Sequence, residues 1–329
     1  MSRILTGMRP TGRMHIGHYL SVLLSDVELQ EKHDCYFLVA DLHVLTTGYE
    51  KTAEIKENIL QMVADWLAAG MSPDKATIFV QSHVPIHFNL YLMLSMITPT
   101  GWLERNPTVK DMVRDLNLSD SIGHGLLGYP VLQAADILAY KGELVPIGED
   151  QRPHLEIARE VARRFNNLYG ETFPEPKEYL REFTVIPGTD GRKMSKSYDN
   201  GIFLCDPAET IGKKVALMVT DAQKIRKNDP GRPEVCSVYS FHKILKTPEI
   251  EARAASCRAG ELGCVLCKKD LSSCLDGIIA PIREKREQFA SRPDMVWEIL
   301  HEGAKKANKF TAPVWDEVLS RMGMKYGQS

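Results

Sequence analysis

Residues 11–20 read T-G-R-M-H-I-G-H-Y-L and residues 192–198 read R-K-M-S-K-S-Y, and the two stretches together decide how the chain is read. The first stands where the apolar pair Ile4 and Leu5 gives way to helical spacing. There Ile16, Leu20, Leu23 or Leu24, and Val27 recur at three- and four-residue steps. That pattern predicts a strand over 2–6 feeding a helix over 15–32 through a glycine-containing turn. Backbone N–H groups and the positive helix end at such a turn suit a phosphate. Gly7, Gly12 and Gly17 keep the turn thin. His15 and His18, three apart, are expected to leave one helix face as two donors.

Outward from this unit, strands are expected at Tyr36 to Ala40, Ala76 to Val80, Leu144 to Ile147 and Phe183 to Ile186. Helices are expected at 52–69, capped by Thr52 and closed by Gly70, and at 87–97 and 152–166. This alternation predicts an α/β fold, a doubly wound parallel sheet that binds ligands beyond the carboxyl ends of its strands. The first loop, Asp41 with His43, and the 81–85 loop would gather there. Residues 99–125 interrupt the alternation with charged, amphipathic sequence. Residues 129–140 then read as a helix with Pro130 in its first position. It carries a polar stripe of Tyr129, Gln133, Asp136 and Tyr140 on otherwise apolar surface. A carboxylate there is costly unless hydrogen-bonded, so Asp136 is either a satisfied interior residue or the wall of a substrate pocket. Gly148-Glu149-Asp150-Gln151 opens the next helix, where acids serve as caps or as acceptors for ribose hydroxyls. The turn-rich 187–191 segment would deliver Lys193 and Lys196 to the sheet end.

Beyond Asp206 strand signals stop, and helices are expected at 207–218, 234–245, 249–258, about 271–291, 294–307 and 313–322. The region is rich in basic residues, among them Lys213, Lys214, Lys224, Arg226, Lys227, Arg232, Lys268, Lys269, Arg283, Lys285 and Arg286. Net charge over all 329 residues is −2, so a nucleic acid would be held by local patches and not by an overall field. No apolar run approaches the roughly 18 residues of a membrane span. Seven cysteines, an odd number, argue against a secreted disulfide framework and for a reducing cytoplasm. Four of them, Cys236, Cys257, Cys264 and Cys267, end in C-x6-C-x2-C within a loop-like stretch. Such a set suits zinc or an iron–sulfur cluster. Cys274 is a substitute ligand, and Cys35 and Cys205 read as structural.

H-I-G-H at 15–18 and K-M-S-K-S at 193–197 resemble, letter for letter, the two signatures of class I aminoacyl-tRNA synthetases. Y-P-V-L-Q-A-A-D-I-L at 129–138, followed by G-E-D-Q, looks like the bacterial tryptophanyl branch. The resemblance implies a catalytic domain over 1–205, with a connecting insertion at about 99–128 and a signature loop at 187–200. It also implies a helical anticodon-binding domain over 206–329, and a homodimer. The implied activity is ATP- and Mg²⁺-dependent activation of L-tryptophan, then transfer to tRNA(Trp). His15, His18, Lys193 and Lys196 would be catalytic. ATP would meet Arg9, Pro10, Thr11, Gly17, His18, Gly148, Glu149, Asp150, Ile186, Lys193, Met194, Ser195, Lys196 and Ser197. Tryptophan would meet Gly7, Tyr129, Gln133, Asp136 and Gln151, with Asp136 accepting the indole N–H. The four cysteines resemble those that hold a [4Fe–4S] cluster in some bacterial relatives, and Zn²⁺ stays the alternative. Gln133 and Arg9 depart from the common residues at their positions. A tyrosyl-type enzyme shares fold and signatures, but a phenol site wants both a donor and an acceptor.

Overall fold

The computed structural model describes residues 1–115, 122–181 and 185–326. The chain runs β1 (Arg3–Met8), α1 (Ile16–His18), a π-helical stretch (Tyr19–Leu23) and α2 (Leu24–Leu29), then β2 (Asp34–Val39), α3 (Asp41–Gly48) and α4 (Ile55–Ala69). Next come β3 (Ala76–Val80), α5 (Ile86–Ile97), α6 (Thr100–Arg105), α7 (Pro107–Asp115), α8 (His124–Ala139), β4 (Leu144–Ile147), α9 (Arg152–Tyr169) and β5 (Lys177–Leu180). The remaining elements are helical: α10 (Ala208–Ala216), α11 (Ser237–Ile244), α12 (Ile250–Arg258), α13 (Cys264–Ala290) and α14 (Pro293–Arg321).

The five strands form one parallel sheet in the order β3-β2-β1-β4-β5, the doubly wound arrangement expected. Strand order reverses between β1 and β4, which opens a crevice at their carboxyl ends. One face of the sheet packs α4 and α13 through Ile59, Met62, Trp66, Leu271, Leu275 and Ile279. The other packs α5, α8 and α9 through Leu90, Leu94, Ile137, Leu138, Val161 and Phe165. Helix α14 runs along the β3 edge and feeds both cores, Val296 and Leu300 to one and Ala304, Ala307 and Val314 to the other. The helix comes so close that a Cβ on Gly303 would sit 1.8 Å from the Ile78 carbonyl oxygen. It thereby shields an edge strand whose unpaired backbone would otherwise invite another chain.

Several sequence expectations are corrected. The first helix ends at Leu29 and is π-helical at Tyr19–Leu23. Thr52 begins a short 3₁₀ turn and caps nothing with its side chain, whereas Gly70 does close α4 with a left-handed φ of 112°. Pro130 lies inside α8, which starts at His124, because burial against α5 and α9 outweighs one missing N–H. The fifth strand is the polar edge segment Lys177–Leu180; of the expected strand at 183–186, residues 183 and 184 lie outside the described residues. Cys264 to Lys269 belongs to α13 and not to a loop. The two last helices expected are one, α14, carried through Pro313 by its packing. Among the described residues no helix is long and apolar enough to cross a membrane.

Candidate active site

A cleft of about 1010 Å³ opens at the carboxyl end of the sheet. It is bounded by Gly7 to Arg9 at the end of β1, Ala40 and His43 after β2, Ile147 to Gln151 at the end of β4, and Leu180 and Arg181 at the end of β5. Helix α8 supplies its far wall with Tyr129, Gln133 and Asp136. All five residues expected to meet an aromatic substrate line this one space, as do Arg9, Gly148, Glu149, Asp150 and Lys193. Tyr140, the fourth member of the polar stripe, does not; it is fully buried against His87, Tyr36 and Phe79.

Asp136 is 3% exposed and heavily hydrogen-bonded. Its Oδ1 accepts from Gln81 Nε2 and His87 Nδ1, both at 2.7 Å, and its Oδ2 from His43 Nε2 at 2.9 Å. Burial alone would raise its pKa, but the two histidine contacts outweigh burial and hold it below the usual carboxylate range. Asp136 is therefore an ionised, acceptor-only group on a mostly apolar wall. Tyr129 is fixed from behind by His154. Asn106 Oδ1 caps α7 through Thr108 N and Val109 N, which leaves its Nδ2 to donate to His154 Nδ1 at 3.4 Å. His154 Nε2 then carries the proton and donates to the Tyr129 hydroxyl. Burial pulls His154 down to about 4 and pushes Tyr129 up, so both are neutral. Arg181 reaches back to Asp26 on α2 and to Thr6 Oγ1, so it braces β1, α2 and β5 at the cleft.

The remaining expected residues form a second group next to Lys193. Residues 14–16 pair with 202–204: Ile16 N donates to Ile202 O at 2.8 Å and Leu204 N to Met14 O at 2.9 Å. This ties the first turn to the segment after the second signature. Lys196 Nζ donates to Thr11 O, Thr11 Oγ1 and Gly12 O at 2.9, 3.0 and 3.1 Å. Met194 N donates to Ile186 O, and Ser195 accepts from Ser197 N. A Cβ on Gly17 would meet Ile186 at 3.5 Å, so the first signature packs against the residue that pairs with Met194 of the second. His15 serves as the helix N-cap, and its ring stacks on His18 with centroids 3.7 Å apart. Burial, with Lys196 adding to it, lowers His15 to about 4; burial, His15 and both lysines lower His18 to about 3. At neutral pH both are uncharged N–H donors, and the fixed positive charge rests on the lysines and Arg9. Burial also brings Lys196 down to about 8.

The four cysteines Cys236, Cys257, Cys264 and Cys267 line one small cavity of about 20 Å³. Among the described residues no three Cys, His, Asp or Glu side chains are arranged to hold a metal ion as placed. Burial raises the Cys257 and Cys267 thiols, and Arg253 Nη1 lies 3.6 Å from the Cys267 sulfur. Several basic residues of the helical half are paired with acids. Arg286, Arg283, Lys214 and Arg232 pair with Asp65, Asp276, Asp206 and Asp221. Arg226, Lys227, Lys269 and Lys285 remain exposed.

The family model described as tRNA synthetases class I (W and Y) matches residues 1–279. The chain belongs to this family. A tryptophan–tRNA ligase of Thermotoga maritima is 45% identical, and one of Aquifex aeolicus is 43% identical; each comparison covers 98% of this chain and 100% of the relative. The crystal structure of tryptophanyl-tRNA synthetase from Campylobacter jejuni complexed with ADP and tryptophan superposes with a TM-score of 0.88 at 35% identity, covering 98% of this chain and 99% of the other. Within this class I synthetase, sequence reasoning passed over Gln81, His87, His154 and Arg181. Only the position of Gln81 in the 81–85 loop hinted at a role; His87 sits in an apolar helix with no sequence sign of its partner.

Proposed function

We propose that the chain is a tryptophan–tRNA ligase, which activates L-tryptophan with ATP and transfers it to tRNA(Trp). The observation that carries this reading is Asp136, an ionised and buried acceptor on the wall of the cleft that Arg9 and Lys193 also line. Indole offers one donor and no acceptor, and a carboxylate offers only acceptors. A phenol would need a donor as well, which disfavours tyrosine. Tyr129, Gln133, Gln151 and Gly7 bound the rest of the amino-acid pocket. Gly148, Glu149 and Asp150 suit the ribose hydroxyls.

The substrate carboxylate attacks the α-phosphorus of Mg·ATP and pyrophosphate leaves. That carboxylate is ionised at neutral pH, so no general base is needed. The site contributes position and charge. Lys193, Lys196 and Arg9 supply the positive charge for the departing pyrophosphate. His15 and His18, with the Thr11–Gly17 turn and the Ile186–Ser197 loop, supply neutral N–H donors and shape. Lys196 must leave its seat on Thr11 and Gly12 to reach the phosphates. Tryptophan-dependent pyrophosphate exchange tests the reading: exchange with tryptophan and none with tyrosine supports it, and the reverse overturns it. Lys196→Ala should suppress exchange strongly and leave tryptophan binding near normal.

Residues 1–205 are assigned to activation and 206–329 to the anticodon arm, where exposed Arg226, Lys227, Lys269 and Lys285 suit phosphates. Phe88, Leu92 and Met96 recur every four residues on α5 at 45%, 54% and 72% exposure, an apolar stripe that suits a homodimer contact. The working compartment is the cytoplasm. The four cysteines are assigned a [4Fe–4S] cluster, with Zn²⁺ as the competing occupant. Four sulfurs around one cavity are the right donor chemistry. The cavity itself holds about one water, so loading requires the side chains to swing outward. When bound, the cluster would stitch α11, α12 and α13 together. Brown colour and iron in anaerobically purified protein would support it; colourless, zinc-containing protein would replace it.

A further inference from the structure

A carboxylate can accept about four hydrogen bonds, two at each oxygen. Asp136 Oδ1 already has two donors, Gln81 Nε2 and His87 Nδ1. Neither donor lies on the cleft wall, and both are fully buried. Oδ2 has one donor, His43, which does line the cleft. One acceptor position is therefore left, on Oδ2, the oxygen whose present donor lines the cleft.

The buried donors are themselves fixed. Gln81 Oε1 accepts from Leu42 N at 3.2 Å, which orients the amide with its NH₂ toward Asp136. His87 Nε2 lies 3.0 Å from the Tyr140 hydroxyl. Burial pushes the Tyr140 phenol well above its usual range, so it keeps its proton and donates. His87 Nε2 then accepts, and its proton is held on Nδ1, facing the carboxylate. The chain of donation runs from Tyr140 to His87 to Asp136.

Resting on the tryptophan reading, we infer that His87, backed by Tyr140, is a positioning residue for specificity: it locks Asp136 Oδ1 so that the single free site on Oδ2 meets the ring N–H. The test compares pyrophosphate exchange with tryptophan and with its benzothiophene isostere, in which sulfur replaces the N–H. His87→Leu should raise KM for tryptophan by about tenfold to a hundredfold with a smaller change in kcat, the loss of one well-placed hydrogen bond to a charged group. The isostere, which makes no such bond, should be nearly unaffected, so the preference for tryptophan collapses. His87→Asn, which restores a donor, should recover much of it. Tyr140→Phe keeps the ring, frees the His87 tautomer and should cost about two- to fivefold in the same ratio. This arm also serves if His87→Leu does not fold. Equal losses for both substrates, or an unchanged ratio in His87→Leu and Tyr140→Phe, would overturn the inference. A parent protein inactive with tryptophan would instead sink the function reading.

Discussion

Asp65 on α4 and Asp136 on α8 are both withdrawn from solvent, at 0% and 3% exposure, on opposite faces of the sheet. Asp65 meets a full cation: Arg286 Nε of α13 donates to Oδ1 at 2.5 Å, and Met14 N donates to Oδ2 at 2.7 Å. Burial still raises its pKa, against the pull of Arg286. Among the described residues Asp136 meets no arginine or lysine. Its three partners are two imidazoles and an amide, and its pKa falls below the usual range. A carboxylate closed by a guanidinium is a structural pin, here between the helical half and the turn that leads into His15. One served by imidazole and amide donors keeps its charge and an open acceptor, and so can still bind something.

The largest effect that would break this comparison is at Asp136. Replacing it with Asn exchanges an acceptor-only group for one that also donates, so tryptophan activation should drop by about 10³-fold or more in kcat/KM. Thermal stability should change far less. A variant as active as the parent would remove Asp136 from the site.

Arg286→Met attacks the other member. It strands a buried charge, which costs roughly 3–5 kcal/mol. For 329 residues that is a fall in Tm of about 4–7 °C. Because Asp65 also holds Met14 N, KM for ATP should rise more than KM for tryptophan. An unchanged Tm would mean that the pin carries no load.

The two carboxylates were unequally legible. Asp136 stood out because it and Tyr129 and Gln133 break an apolar helix at i, i+4 and i+7, and because the motif around it resembles a known one. Asp65, in M-V-A-D-W-L, gave no sign, since its partner lies 221 residues away and only folding brings them together. The same limit hid His87 and His154. The sheet was legible where strands are buried on both faces, as in Tyr36 to Ala40. It was not at β5, whose sequence K-E-Y-L is that of a partly exposed edge. Prolines misled twice, at Pro130 and Pro313, because tertiary packing outweighs a single lost backbone bond.

A moderate effect sharpens the contrast through Lys196, which burial has lowered to about 8. The pH dependence of kcat/KM for ATP reports ionisations of the free enzyme. It should fall above about pH 8, by up to tenfold per unit, as the ammonium loses its proton. Lys196→Arg should carry the plateau to higher pH at lower height. A parent profile flat to pH 9.5 would show that this charge is not used.

The smallest effect concerns the buried bases, which the fold treats as it treats neither carboxylate. Burial leads the causes that lower His15 and His154 to about 4 and His18 to about 3, against 6.5 in the unfolded chain. Between these limits the unfolded state binds more protons than the folded one, so stability rises with pH across the window. Neutral imidazole burial is thus fully tolerated above about pH 6.5 and works against the fold as pH drops toward 4 and below. The parent should lose Tm steadily from pH 6.5 to 4. His154→Gln, which keeps an amide donor for Tyr129 and cannot take up a proton, should flatten that slope by one titrating group. Tryptophan should bind it nearly as well at pH 7.5, because the hydroxyl of Tyr129 is still held from behind. If the slope is the same in both proteins, His154 is already protonated in the fold, and Tyr129 must instead be oriented by a charged imidazolium.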